Sequence, residues 1–266
     1  MMELVSKIAR IKQQQLQDAA NGHPVETDTA AAPVRKLAAI KAAEIESGNQ
    51  YAGQPENTDS TPAATPAELQ TLEHYQAAMS ADLASLAVLK DVVEKAKAKA
   101  TMLLTYFPFV QAYVEKGDNY PNDIAVRVCI WLFDTLQIEQ GLALAFHLIK
   151  QGIHVTPPKF DRDLQTFVCD AVYDWANALL KRDVSANPYL ETLVATLDNE
   201  QWSLAPPVQS KLYVMLAKHK KRESDWLTVL ALCERAEQVN PEGAGVKGLM
   251  KEARDKLKPV VDHTDQ

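Results

Sequence analysis

From Ala67 to Tyr106 the sequence contains neither glycine nor proline, and no other feature constrains the fold more. Without either residue, so long a stretch satisfies its backbone donors and acceptors locally as an α-helix. Thr65-Pro66-Ala67-Glu68 supplies the start, with Thr65 as N-cap, Pro66 at the first helical position and Glu68 three residues after the threonine. A single helix over 67–104 is predicted, about 57 Å long at 1.5 Å per residue. Its apolar positions, Leu69, Leu72, Met79, Leu83, Leu86 and Val93, recur at a spacing of three to four, interrupted by Gln76 and Lys90. The pattern is coiled-coil-like. It assigns the helix to packing against copies of itself in a homo-oligomer, or along the rest of the chain.

The same economy of turn residues extends to the whole sequence. Nine glycines and 14 prolines in 266 residues leave few tight turns, which argues against an all-β chain. From 105 to 258, helical runs alternate with short breaks at Gly117-Asp118, Gly152, Pro157-Pro158, Asn187-Pro188, Pro206-Pro207 and Asn240-Pro241. Helices are predicted near 106–116, 122–135, 138–151, 161–182, 187–198, 206–220, 224–238 and 244–257. Paired amphipathic helices of this length suggest a tetratricopeptide-like stack.

Ahead of the long helix the composition changes. Leu4, Ile8, Ile11 and Leu16 place a short amphipathic helix in residues 3–20. Val34, Leu37, Ile40 and Ile45 place another after Pro33, with Gly48-Asn49 as its stop. Residues 48–66 have almost no large apolar side chains and cannot offset the entropy of ordering, so they read as a flexible linker. The predicted class is all-α: an N-terminal helical arm (1–47), a linker (48–66), a long oligomerisation helix (67–104), a helical-repeat body (105–200), C-terminal helices (201–258) and a tail (259–266).

Charge narrows the functional classes. The net charge of −7 argues against a histone-like coat on DNA, without excluding a basic arm on an acidic body. Residues 105–200 carry 7 basic and 13 acidic groups, whereas 201–266 carry 11 and 9. Lys7, Arg10 and Lys12 on the first predicted helix, with Arg35, Lys36 and Lys41 on the second, form a candidate DNA-binding head that would neutralise phosphates. They fit equally well as solubilising side chains on exposed faces. The dense run Lys218-His219-Lys220-Lys221-Arg222 is a candidate docking surface for a partner, though a helix C-terminus attracts cations in any case.

Catalytic signatures are scarce. Neither a GxxxxGK[ST] nor a GxGxxG phosphate loop occurs, nor GxSxG or HExxH. Cys129, Cys169 and Cys233 lie far apart in apolar helical patterns and read as buried hydrophobes. The six histidines are scattered, which supports no metal site. Asp163, Asp170 and Asp174 could share one helix face and hold Mg²⁺ for a nuclease. An acidic solvent face opposite Phe167, Val168, Val172 and Trp175 explains them more simply. No cofactor is expected. No apolar run reaches the ~20 residues of a membrane helix, so the chain reads as soluble.

One stretch carries a resemblance. Tyr106-Phe107-Pro108-Phe109-Val110 is followed by Asn122-Asp123-Ile124, Trp131-Leu132-Phe133-Asp134, Ile138, Gly141-Leu142-Ala143-Leu144-Ala145, Gly152-Ile153 and Pro157-Pro158 before Phe160. Their order and spacing resemble the small terminase subunit of temperate, contractile-tailed phages that package DNA from cohesive-end sites. Gly141 departs from the alanine expected there, at a mild helix cost. The resemblance implies a non-catalytic homo-oligomer in the host cytoplasm, plausibly a ring, that binds double-stranded viral DNA at the packaging site. It also implies recruitment of a large subunit carrying the ATPase and endonuclease. A helical-repeat interaction scaffold and a metal-dependent endonuclease are the alternatives.

Overall fold

The computed structural model describes residues 66–158, 160–200 and 202–258. The arm, and the linker up to Thr65, lie outside them. Among the described residues the chain is all-α, with helices α1 (Pro66–Val88), α2 (Val92–Lys116), α3 (Asp123–Asp134), α4 (Ile138–Lys150), α5 (Leu164–Lys181), α6 (Tyr189–Glu200), α7 (Pro206–Arg222), α8 (Trp226–Val239) and α9 (Lys247–Leu257). No described helix is long and apolar enough to cross a membrane.

The single helix expected over 67–104 is instead two. α1 stops at Val88, and Asp91 adopts an extended backbone (φ −77°, ψ 130°) as the N-cap of α2. Its carboxylate accepts hydrogen bonds from the amides of Val93 at 2.8 Å and Glu94 at 2.9 Å. Asp91-Val-Val-Glu94 is a capping-box spacing, so a start signal overrides a stretch that lacks any breaker. α2 then continues through Pro108, where a new helix was expected to begin near residue 106. Pro108 and Leu104 are both exposed. Water can therefore satisfy the Leu104 carbonyl that the proline cannot serve, which lowers the cost of an interior proline.

Two compact units divide at 164/165, inside the body expected over 105–200. In the first, α3 packs against α1, α2 and α4. Ten of its 12 residues are buried, from Ile124 to Asp134 with Arg127 as the interior exception. A helix covered on all sides must be apolar all round, and VCIWLF is. α2 contributes one buried stripe, Leu103, Tyr106, Phe109, Val110 and Tyr113. Tyr106 meets the Trp131 ring edge-on, with centroids 5.9 Å apart. Gly141 on α4 explains its own departure from alanine: an added Cβ would lie 3.1 Å from the Phe133 ring.

In the second unit α7 packs on α8, α8 on α9, and α6 on α7. α7 opens on Pro206-Pro207 and α8 is capped by Asp225, whose carboxylate accepts from the Thr228 amide. Across both units, helix ends repeat one device, a left-handed residue that lets two amides fold back onto the last turn. Gly117 and Gly152 do this with glycine's freedom, but Leu136 (φ 60°), Asp183 (φ 62°) and Ser224 (φ 59°) do it without. A side chain at positive φ costs roughly 1 kcal/mol.

Candidate functional site

The charged groups fall into three settings. The first is buried. Lys99, on the inner stripe of α2, places its Nζ 2.9 Å from Oδ2 of Asp134 at the end of α3, with the two side chains 6% and 4% exposed. Removing either partner would leave a charge in a dry site. Three further bonds lie nearby: one ties α1 to α3, one caps the start of α3, and one ties α2 to α1. Gln76 Nε2 donates to Asp123 at 2.8 Å, the Asn122 carbonyl oxygen Oδ1 accepts from the Ala125 amide at 3.0 Å, and the Tyr106 hydroxyl donates to Asp82 at 2.6 Å. Burial, reinforced by Asp82, pushes the Tyr106 hydroxyl pKa well above its ordinary value.

The second setting is the Lys218–Arg222 run at the end of α7. Lys220 pairs with Glu191 and, at 2.8 Å, with Glu223. The hydrogen bond to Glu191 is the first cause of its raised pKa. Lys221 reaches Glu252 of α9 at 2.6 Å, and Arg222 pairs with Asp183 and donates to the Val184 carbonyl at 3.2 Å. His219 is buried. Its Nε2 lies 3.1 Å from the Ala176 carbonyl, and Nδ1 accepts from the Ala186 amide at 3.4 Å. Those bonds fit the Nε2–H tautomer of a neutral ring, and burial lowers its pKa. The densest basic run of the sequence is thus largely engaged within the second unit; Lys218 and the paired Arg222 are its exposed cations.

The third setting is α9. Lys247, Lys251, Arg254 and Lys258 are all exposed, at spacings of four, three and four. Sequence reasoning passed over this stripe, although its helical period was readable. It also passed over Lys99. The signal there was a lone carboxylate, Asp134, closing a run of apolar residues that would need a counter-ion.

The remaining expected site residues fall as follows. Lys7, Arg10, Lys12, Arg35, Lys36 and Lys41 lie outside the described residues. Of the proposed oligomerisation stripe, Leu72, Met79 and Leu86 are buried by the chain itself, and Leu83 and Val93 are half-buried. Leu69 lies on α1, and its side chain is outside the described ones. Asp163 stands just before α5, while Asp170 and Asp174 lie half-buried along it. All three have interaction partners. Among the described residues no group of three His, Cys, Asp or Glu side chains is arranged to hold a metal ion. Cys129, Cys169 and Cys233 are buried free thiols, and burial pushes the Cys233 pKa up to about 11.

Comparison with known proteins covers most of the first unit and the opening helices of the second. The family of phage small terminase subunits matches residues 76–205. The "Probable terminase, endonuclease subunit" of Haemophilus phage HP1 (strain HP1c1) is 28% identical over 173 residues, 60% of this chain and 60% of that protein. The "Terminase, endonuclease subunit" of Escherichia phage P2 is 27% identical over 185 residues, 68% of this chain and 72% of the relative. The chain thus spans about 60% of the length of its HP1 relative. No solved structure matches it. The matched stretch contains the buried α3, its Lys99–Asp134 pair and the ordered motifs from Tyr106 to Phe160, and over residues 76–205 this chain carries a phage small terminase subunit domain.

Proposed function

We propose that this chain is the small subunit of a phage DNA-packaging terminase, working in the host cytoplasm. It binds the packaging start site on double-stranded viral DNA as a homo-oligomer and recruits a large subunit that supplies ATPase and nuclease chemistry. The observation that carries this reading is the family match over residues 76–205, laid on a helical unit whose core is built from the matching motifs. The basic residues of the arm, Lys7, Arg10, Lys12, Arg35, Lys36 and Lys41, contact phosphates. Several such heads held in one oligomer gain affinity through effective concentration. Large-subunit docking falls to the second unit, where Lys218 and Arg222 are exposed members of the 218–222 run. The word endonuclease in the relatives' names describes those proteins; here cleavage is assigned to the holoenzyme.

Light-scattering mass tests the reading, measured on the purified chain alone and with a DNA fragment carrying the candidate packaging site. A discrete mass several times 29.4 kDa that rises with the fragment is expected. A monomer indifferent to DNA would sink the assignment and leave a helical scaffold.

A further inference from the structure

Charge is divided unevenly along the chain. Residues 206–258 hold 11 Lys and Arg against 7 Asp and Glu, while the rest of the chain holds 17 against 28. Within that basic segment the structure separates cations already engaged from cations open to a partner. Lys220, Lys221, Arg222 and Arg235 each pair with a carboxylate of the same unit. Those of α9 are differently placed. Lys247 and Lys251 are exposed. Arg254 approaches Glu234 only to 3.4 Å with both side chains about half exposed, and Lys258 pairs with Asp255 across its own last turn, also exposed. Contacts of that kind contribute little and yield readily to a stronger anion.

We propose that the face of α9 formed by Lys247, Lys251, Arg254 and Lys258 is a second phosphate-binding surface, one that grips the backbone of duplex DNA without reading sequence. This rests on the packaging function proposed above. The four positions run over 12 residues, 247 to 258, with Lys258 as the C-cap of α9, a reach of about 16 Å at the helical rise. One strand of B-DNA presents roughly five phosphates over that length. The buried side of α9 is Met250 and Ala253, and the exposed large apolar side chain beside the four cations is Leu257, at the C-terminal end of the helix. A face that docks protein centres on an apolar or aromatic anchor, whereas this one is centred on Lys251 and Arg254 with Leu257 at one end. The surface therefore supplies electrostatic affinity, leaving site recognition to another part of the chain.

The test is fluorescence anisotropy of the full chain with a labelled duplex about 30 base pairs long, titrated across salt. K247Q/K251Q/R254Q/K258Q is expected to bind at least ~10-fold more weakly and to flatten the log affinity against log salt slope by about 3. The charge-preserving K247R/K251R/K258R should retain both. If the quadruple variant melts early, K251E replaces it, with a slope change of about 1 expected. Wild-type binding with an unaltered slope in these variants overturns the surface and leaves the packaging reading intact. No duplex binding by the wild type overturns both. Unaltered DNA binding with a reduced light-scattering mass overturns the DNA assignment and makes this face a contact between copies.

Discussion

Helices α3 and α9 are nearly the same length and could hardly be used more differently. Ten of 12 residues are buried in α3, and two of 11 in α9. Three positions of α3 are tied to a named neighbour: Phe133 to the missing side chain at Gly141, Asp134 to Lys99, Asp123 to Gln76. α9 needs only enough apolar surface to stay attached, so its remaining positions can carry charge. The family match ends at residue 205, well before α9. The matched stretch thus contains the helix whose positions are most constrained by packing, and α9, with its open positions, lies outside it.

The sharpest way to break this comparison is to remove one charge from the α3 setting. Asp134→Ala should cost about 3–5 kcal/mol in urea unfolding because Lys99 is left buried and unpaired. Lys99→Met/Asp134→Leu should recover much of that loss, and failure to do so would mean the pair itself stabilises the fold. Next in size is Gly141→Val, where branched bulk against the Phe133 ring should lower stability by about 1–3 kcal/mol, read as a lower midpoint at unchanged m.

His219 belongs, by this logic, with the α3 setting although it sits in a basic run. Its folded pKa is lowered, so on acidification the unfolded chain takes up the proton first. Stability contributed by the neutral ring is present above the ordinary histidine value near 6.5 and is lost as pH falls from there towards the lowered folded value. Loss of the acceptance from the Ala186 amide on protonation is part of that same penalty. Thermal melts between pH 7.5 and 5 should show the decline in the wild type and a flatter profile in His219→Gln. The smallest effect is expected on α9: Lys251→Ala should change stability by less than about 0.5 kcal/mol. A larger drop in its melting temperature would show that α9 is as tightly specified as α3.

Much of the helical layout was legible because glycine and proline punctuate it; Gly117, Gly152 and Pro206-Pro207 sit at observed helix ends or starts. The break at Asp91 was missed because it uses a cap rather than a breaker. The partners of Lys220, Lys221 and Arg222 were invisible for a different reason. Glu191, Glu252 and Asp183 lie roughly thirty or more residues away along the chain, and only folding brings them close. The same holds for Lys99 and Asp134, 35 residues apart. Charge density along a sequence therefore located basic groups without telling which of them remain available.

The left-handed residues Leu136, Asp183 and Ser224 carry a consequence for how this protein can be divided. Each reverses the chain against the preference of its own side chain, at roughly 1 kcal/mol, and the surrounding packing must impose that reversal. A peptide containing α3, Leu136 and α4 has no such enforcement once α1 and α2 are cut away. The first unit is thus poorly suited to trimming or to exchange as short helical pairs, and minimal fragments intended to retain its fold have to keep α1 through α4 together.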